Sequence, residues 1–248
     1  VTGVQTCALP ISGESAGVYY VGDGGTITAN AGSVMNFADN SFGFVIKNNA
    51  GVTGNTLISQ ADATLGNKVV YAYSNDNRVT IHNQATLTAT GSENYGIYSA
   101  GTVTNDGNMN FQTGIGNVGV YSINNGTATN NASITVGASD PATRRFAIGM
   151  AAGYQNSDFG KIVNSNTGVI NVTGSNGIGM YATGNNGSSK SIAENHGTIN
   201  IAGEGAMGMY LDEGAEGHNY GTIKTTGTQS GMKLNRSEER RVGKECRS

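Results

Sequence analysis

The chain has no tryptophan, two cysteines, two prolines and charged residues at only 12% of positions. Each shortage closes off a class of protein. Scarce proline excludes a collagen-like or proline-rich linker, even though glycine, at 39 of 248 residues, stands at more than twice its usual ~7%. No segment approaches the ~20 continuous apolar residues of a membrane helix. The apolar residues, 37% of the total, are spread thinly among Asn, Thr, Ser and Gly, too thinly for one dense globular core. A solenoid needs less, because each coil buries only a few inward side chains against its neighbours.

The two ends are foreign to the rest. Residues 1–12 (VTGVQTCALPIS) and 236–248 (RSEERRVGKECRS) break the composition abruptly, and both strings resemble translated sequencing-adapter DNA. They are set aside before any chemistry is argued, which leaves 13–235 as the repeat region and the expectation that it is a window on a longer protein. The front has no basic start or useful apolar run, so it does not read as a signal peptide. The tail mixes Glu238, Glu239 and Glu245 into its arginines, so it does not read as a basic nucleic-acid arm. Cys7 and Cys246 both fall in these ends, and 13–235 offers neither a disulfide framework nor a cysteine metal site. The tail also holds five of the 14 basic and three of the 17 acidic residues. Nine bases and 14 acids remain, a net charge of about −5 that disfavours attraction to nucleic acid.

Within the repeat region one phrase recurs: a glycine between apolar residues, usually followed by tyrosine. It reads Ala16-Gly17-Val18-Tyr19, Phe42-Gly43-Phe44, Tyr95-Gly96-Ile97-Tyr98, Val118-Gly119-Val120-Tyr121, Ile148-Gly149-Met150, Ile178-Gly179-Met180-Tyr181 and Met207-Gly208-Met209-Tyr210, with Val69-Val70-Tyr71 filling the one gap. Copies lie roughly 23 to 30 residues apart, a solenoid spacing. A second phrase, Asn-x-Gly/Ala followed by short apolar alternation, keeps step with it at Asn83, Asn105, Asn130, Asn166, Asn195 and Asn219. A third strand-like piece, such as Val79-Thr80-Ile81 or Lys161-Ile162-Val163, precedes many of these. Three strands and three bends per repeat predict an all-β parallel β-helix of about nine coils, a rod of roughly 40 Å at the ~4.8 Å interstrand spacing.

Alternate strand residues face the same way. The second phrase therefore predicts an inward column of Ile27, Leu87, Met109, Ile134, Ile170, Ile199 and Ile223. Two residues on, Ala29, Ala89, Phe111, Val136, Val172, Ile201 and Thr225 predict another. In the first phrase, Ile178 with Met180 and Met207 with Met209 are expected to bracket their glycine as a further inward wall. The six recurrent asparagines are expected at one corner, where Asn tolerates the left-handed region and stacked amides bond along the axis. Tyr98, Tyr121, Tyr181 and Tyr210 predict a column facing either the core or the surface. Gly137–Arg145, with Pro141, and Gly184–Lys190 read as loops projecting from corners, where solenoids commonly carry recognition.

Chemistry-bearing motifs are few. Gly114-Ile115-Gly116-Asn117-Val118-Gly119 and Gly203-Glu204-Gly205-Ala206-Met207-Gly208 match a dinucleotide glycine pattern but lack its strand-loop-helix context, so each reads as a repeated bend. His82, His196 and His218 adjoin the recurrent Asn. A metal site from His196 and His218 would need Glu194 or Glu216 nearby, and solvated corner residues are the expected reading. Asp23-Gly24-Gly25 does not recur as a calcium nonapeptide array would. Thr26-Ile27-Thr28 and Thr86-Leu87-Thr88 resemble ice-binding faces, but Thr is not expected at those registers in other coils. Asn125, Asn131 and Asn171 fit a glycosylation pattern that so Asn- and Thr-rich a chain matches by accident. For an enzyme, two or three acids, or an acid with a basic partner, must meet on one face. The nearest cluster is Asp140, Arg144, Arg145, Asp158 and Lys161, expected to be a surface ion-pair group. No catalytic, cofactor-binding or metal residue is assigned.

The stretch from Asn195 to Asp212, N-x-G-T-I-N-I-x-G followed by G-x-G-A-M-G-M-Y-L-D, resembles the passenger regions of large bacterial autotransporters, especially the fusobacterial outer-membrane type. The resemblance covers most of 13–235 and is clearest after Ile148. It implies type V secretion, a β-helical passenger at the cell surface and, elsewhere in the parent, a signal peptide and a C-terminal outer-membrane barrel. The expected function is thus a non-catalytic extracellular stalk or adhesin with no cofactor. Its expected partner is a surface receptor or glycan, with no nucleic acid and no membrane contact by this segment. The rival is a polysaccharide lyase or hydrolase on a β-helix. Cut at both ends, such a solenoid exposes strand edges and is expected to associate with concentration.

Overall fold

A computed structural model describes residues 15–49, 53–154, 158–226 and 230–234; the two segments read as foreign lie outside them. The described residues form 25 strands and no helix. Each strand pairs in parallel with the strand three places on, giving one nine-stranded and two eight-stranded sheets. The chain therefore winds through eight complete turns and one further strand, close to the nine coils expected, with three strands per turn.

The first sheet stacks Ser15–Gly22, Ser41–Asn48, Val70–Ser74, Tyr95–Ser99, Val118–Ser122, Ile148–Ala152, Ile178–Thr183, Met207–Asp212 and Ser230–Leu234. The second runs from Thr26–Ala29 to Glu216–Asn219, and the third from Met35–Phe37 to Thr222–Thr225. Their inner faces meet in one core. Leu57, Ile81, Val103, Ala128, Ile162 and Ala193 stand in register on the second sheet. Leu87, Met109, Ile134, Ile170 and Ile199 do so on the third, all five of them fully buried. Each buried aliphatic side chain contributes about 1.5–3 kcal/mol relative to exposure. Repetition thus supplies what the sparse composition lacks in any single turn.

Two members of the expected columns belong elsewhere. Ile27 pairs with Leu57 and Ala29 with Ser59, both on the second sheet; Met35 and Phe37 head the third-sheet columns instead. Thr26-Ile27-Thr28-Ala29 spells nearly the same alternation as Thr86-Leu87-Thr88-Ala89, and alternation alone does not say which sheet a strand joins.

The glycine phrase departs from simple alternation. In Ile178-Gly179-Met180-Tyr181 the glycine and Met180 both face the core, while Ile178 and Tyr181 lie on the outer face with the residues in register with them. Ile178 and Met207 are accordingly not part of the inward wall, whereas Met180 and Met209 are. Glycine is required by close approach: a Cβ on Gly149 would stand 2.6 Å from the Gly179 carbonyl oxygen and 2.7 Å from Ile170 Cγ2. Among the described residues a side chain takes this place only in the third turn. There Tyr71 is fully buried, edge-on to Phe37 and Phe44 at 5.8 and 5.5 Å.

The corner between the second and third sheets carries an amide ladder, buried from Asn83 to Asn195 and exposed at Asn219. Asn83 Nδ2 donates to Asn105 Oδ1 (2.8 Å), Asn105 to Asn130 (2.8 Å), Asn130 to Asn164 (2.9 Å), Asn164 to Asn195 (2.8 Å) and Asn195 to Asn219 (2.7 Å). Five of the six expected asparagines are members; the sixth is Asn164, and Asn166 is exposed. This turn holds two more residues between its ladder asparagine and Gly168 than the others do, so counting back from the glycine lands on the wrong Asn. A second set, Asn94 and Asn117, occupies the corner entering the first sheet. Asn117 Oδ1 accepts from Asn94 N (2.9 Å), Asn94 Oδ1 accepts from Val69 N (2.9 Å), and Asn117 Nδ2 donates to Thr113 O (2.6 Å).

Candidate functional site

The outer faces of the three sheets differ in chemistry. On the second and third, mostly Thr, Ser, Asn and charged residues face outward, with Ile58, Val163, Val169 and Ile192 as apolar exceptions. On the first sheet the outward rows are apolar and aromatic. One runs Phe42, Val70, Tyr95, Val118, Ile148, Ile178 and Met207; the other runs Val45, Tyr73, Tyr98, Tyr121, Ala151, Tyr181 and Tyr210. The tyrosine column expected from the sequence is thus present, faces outward, gains Tyr73 and is interrupted by Ala151.

That interruption shapes a groove. With no ring on Ala151, Tyr121 reaches across to donate its hydroxyl to Gly153 O at 2.9 Å. A depression of about 490 Å³ remains, floored by Ile148 and Ile178 and walled by Tyr95, Tyr98, Tyr121, Tyr154, Tyr181 and Tyr210, within the ~300–1,000 Å³ range of small-ligand sites. Tyr98 and Tyr121 meet at 5.0 Å and 66°, Tyr181 and Tyr210 at 5.6 Å and 40°, offset geometries that aromatic pairs favour. Burial raises the hydroxyl pKa of Tyr95, Tyr121 and Tyr181, so the rings stay neutral.

Charged residues enter from the corners. Asp140 Oδ1 accepts from Ala142 N (3.1 Å) and Oδ2 from Thr143 Oγ1 (2.6 Å), and Asp140 pairs with Arg145 through backbone. These bonds, the Thr143 hydroxyl first, hold its carboxyl below the usual range. The tight turn presents Arg144 at φ 59° and Phe146 to the groove, while Arg145 turns away to Glu93 at 3.4 Å. Across the sheet, Asp212 and Glu213 line the same groove, with Asp212 Oδ1 accepting from Glu213 N at 2.9 Å.

The five residues weighed for catalysis are not brought together. Asp140, Arg144 and Arg145 precede Ile148–Ala152, and Asp158 follows it; a five-residue strand holds these groups ~16 Å apart along the chain direction. Asp158 is buried, accepts from Asn124 N at 2.5 Å, and has its carboxyl pKa raised by that burial. Lys161 lies on the second sheet and pairs with Glu194 at 2.8 Å. Each of the four groups other than Arg144 has its own partner.

The histidines behave as surface residues. His82 bonds Asp106 at 2.5 Å. Glu194 lies between Lys161 and His196 (3.6 Å), and Glu216 between Lys190 (2.6 Å) and His218 (3.8 Å), while both of the latter histidines stack on Tyr220. Among the described residues no group of three or more metal-ligating side chains forms. Gly114, Gly116 and Gly205 take positive φ in bends, with no helix after them. The expectation that Thr is not kept in register fails on the second sheet, where Thr26, Thr56, Thr80, Thr102 and Thr127 form one outer row. Ile58 and His82 interrupt the neighbouring row.

No single motif in the sequence marks the groove. Its available signal is the tyrosine of the glycine phrase, replaced by Ala151 between Tyr121 and Tyr181 directly after the Pro141 loop. Residues 111–187 match the family model described as the BigA third pectate lyase-like domain, a stretch that includes Tyr121, Arg144, Ala151 and Tyr181. No curated protein and no solved structure matches the chain. Over those residues the chain is similar to a pectate lyase-like domain, in keeping with its three-sheet parallel winding.

Proposed function

We propose that this chain is a segment of a bacterial surface rod, an autotransporter-type passenger, whose first sheet carries a ligand-binding face and which cleaves nothing. The observation that carries the reading is the outward aromatic row with its groove. Over the earlier turns this face is closed from water, since Phe42, Val70, Tyr73 and Tyr98 bury one another; at the groove Tyr121, Tyr181 and Tyr210 stay partly exposed, the concave and mostly apolar opening that small-ligand sites present. The long stack of similar turns suits a stalk, since each coil stabilises its neighbour. Dispersed charged groups argue against general acid and base working on one substrate.

Replacing Tyr181 and Tyr210 by Ser in the intact parent is expected to weaken attachment of the displaying cell while leaving the rod on its surface. Attachment equal to that of the unaltered parent would reject the binding face. The pectate lyase-like match favours one rival, glycan cleavage. That rival requires turnover of a polygalacturonate-type polymer that Asp140→Asn or Asp158→Asn abolishes.

A further inference from the structure

We infer that the groove takes a zwitterionic group carrying a quaternary ammonium and an anion, of which phosphocholine is the smallest common example. The inference rests on the groove being the rod's ligand site. Aromatic faces attract cations within about 6 Å of the ring centroid, and several rings together recognise quaternary ammonium groups. Here Tyr121 and Tyr181 stand on either side of Ala151, and with Tyr95, Tyr154 and Tyr210 they line one depression while keeping part of each ring exposed. Rings placed around a depression meet a rounded, methyl-covered cation from several sides. A pyranose, by contrast, stacks on one flat face.

Charge distinguishes the two ends of the groove. Glu213 is exposed, and its carboxylate forms no ion pair among the described residues; with Asp212 it makes one rim acidic. Arg144 is exposed on the opposite rim, and its guanidinium likewise forms no ion pair there, in contrast to Arg145 next to it. A bound zwitterion would direct its ammonium toward the tyrosines and Glu213 and its phosphate toward Arg144, whose planar fork suits phosphate oxygens. Neutral phenols, kept so by burial, leave this pattern unchanged over the ordinary pH range.

Calorimetric titration of the whole chain with phosphocholine, choline chloride, inorganic phosphate and an oligogalacturonide tests the inference. Phosphocholine is expected to bind more tightly than choline, and phosphate alone not at all. Arg144→Gln should weaken phosphocholine about 3- to 5-fold and leave choline unchanged, whereas Glu213→Gln should weaken both about 3- to 5-fold. Tyr181→Ser should weaken both by about 3- to 30-fold. The two charged side chains are exposed, so their variants keep the fold. Pelleting with phosphatidylcholine vesicles would place the ammonium in a lipid, and binding without pelleting would place it in a soluble or glycan-borne group; both support the inference. Oligogalacturonide binding without phosphocholine binding overturns it and leaves the groove a ligand site. Binding of no probe, with attachment also unaffected by the tyrosine variants, overturns both readings. Phosphocholine affinity untouched by all three variants puts the ligand elsewhere and overturns the inference as well.

Discussion

Ser59 Oγ and the Tyr71 hydroxyl lie 2.5 Å apart inside the rod, and this contact marks where the asparagine ladder begins. Ser59 stands in register with Asn83, at the place where later turns carry the ladder amide. Its hydroxyl is engaged by Tyr71, and Asn83 Oδ1 is left without a donor. Tyr71 in turn fills the inward place that glycine holds in the neighbouring turns. Two departures from the repeat therefore compensate each other. Burial pushes the Tyr71 hydroxyl up to about 12, so the pair is neutral.

Removing either partner should leave the other buried and unpaired, at a cost of about 1–3 kcal/mol. Tyr71→Phe and Ser59→Ala are each expected to lower the urea midpoint, and the double variant to lose little more than the worse single one. Strict additivity of the two losses would show that the hydroxyls do not depend on each other.

The ladder register gives a sharper contrast. Asn164→Ala should destabilise by about 1–3 kcal/mol, because the Asn130 donor and the Asn195 acceptor both lose a buried partner. Asn166→Ala, two residues away and exposed, should stay within about 0.5 kcal/mol. Thermal denaturation of the two variants side by side decides it, and equal losses would mean that Asn166 is the ladder member after all.

Asp158 gives a pH signature. Burial raises its carboxyl pKa in the folded chain above the ordinary 3.8. Between the ordinary and raised values the folded form keeps a proton that the unfolded form has released, so stability falls as pH rises through that window. Above it, the ionised carboxylate burdens the fold. Asp158→Asn keeps an acceptor for Asn124 N without the charge. The variant should melt higher than the parent near neutral pH, with the gap closing as pH drops below the ordinary carboxylate value. A gap constant from pH 3 to pH 7 would contradict the burial effect.

Much of the architecture was legible because its causes are local and repeated. The glycine phrase recurs since Gly149 and its counterparts leave no room for a Cβ against the next turn, and the ladder recurs since each amide satisfies the next. Errors arose where similarity of spelling hid a difference of place. Ile27 and Ala29 share the alternation of the third-sheet strands yet lie on the second sheet, and two extra residues after Asn164 made Asn166 look like the repeat. Asn94 and Asn117 were missed because they bond backbone rather than one another's side chains, which leaves only an Asn before the glycine phrase as a trace. The groove depends on one small residue in register, Ala151, together with side chains from three separate corners. No single stretch of sequence spells that combination.

Each ladder amide gives its N–H to the turn that follows, from Asn83 through Asn195, so the spine has a head and a tail. A finished turn holds out a donor to the next one, and aligned amides polarise each other in the same sense. Winding from the amino end meets a waiting N–H at every step, whereas winding from the carboxyl end meets only carbonyls. Either encounter closes the same bond, so the column fixes the polarity of the rod and not the direction in which it winds.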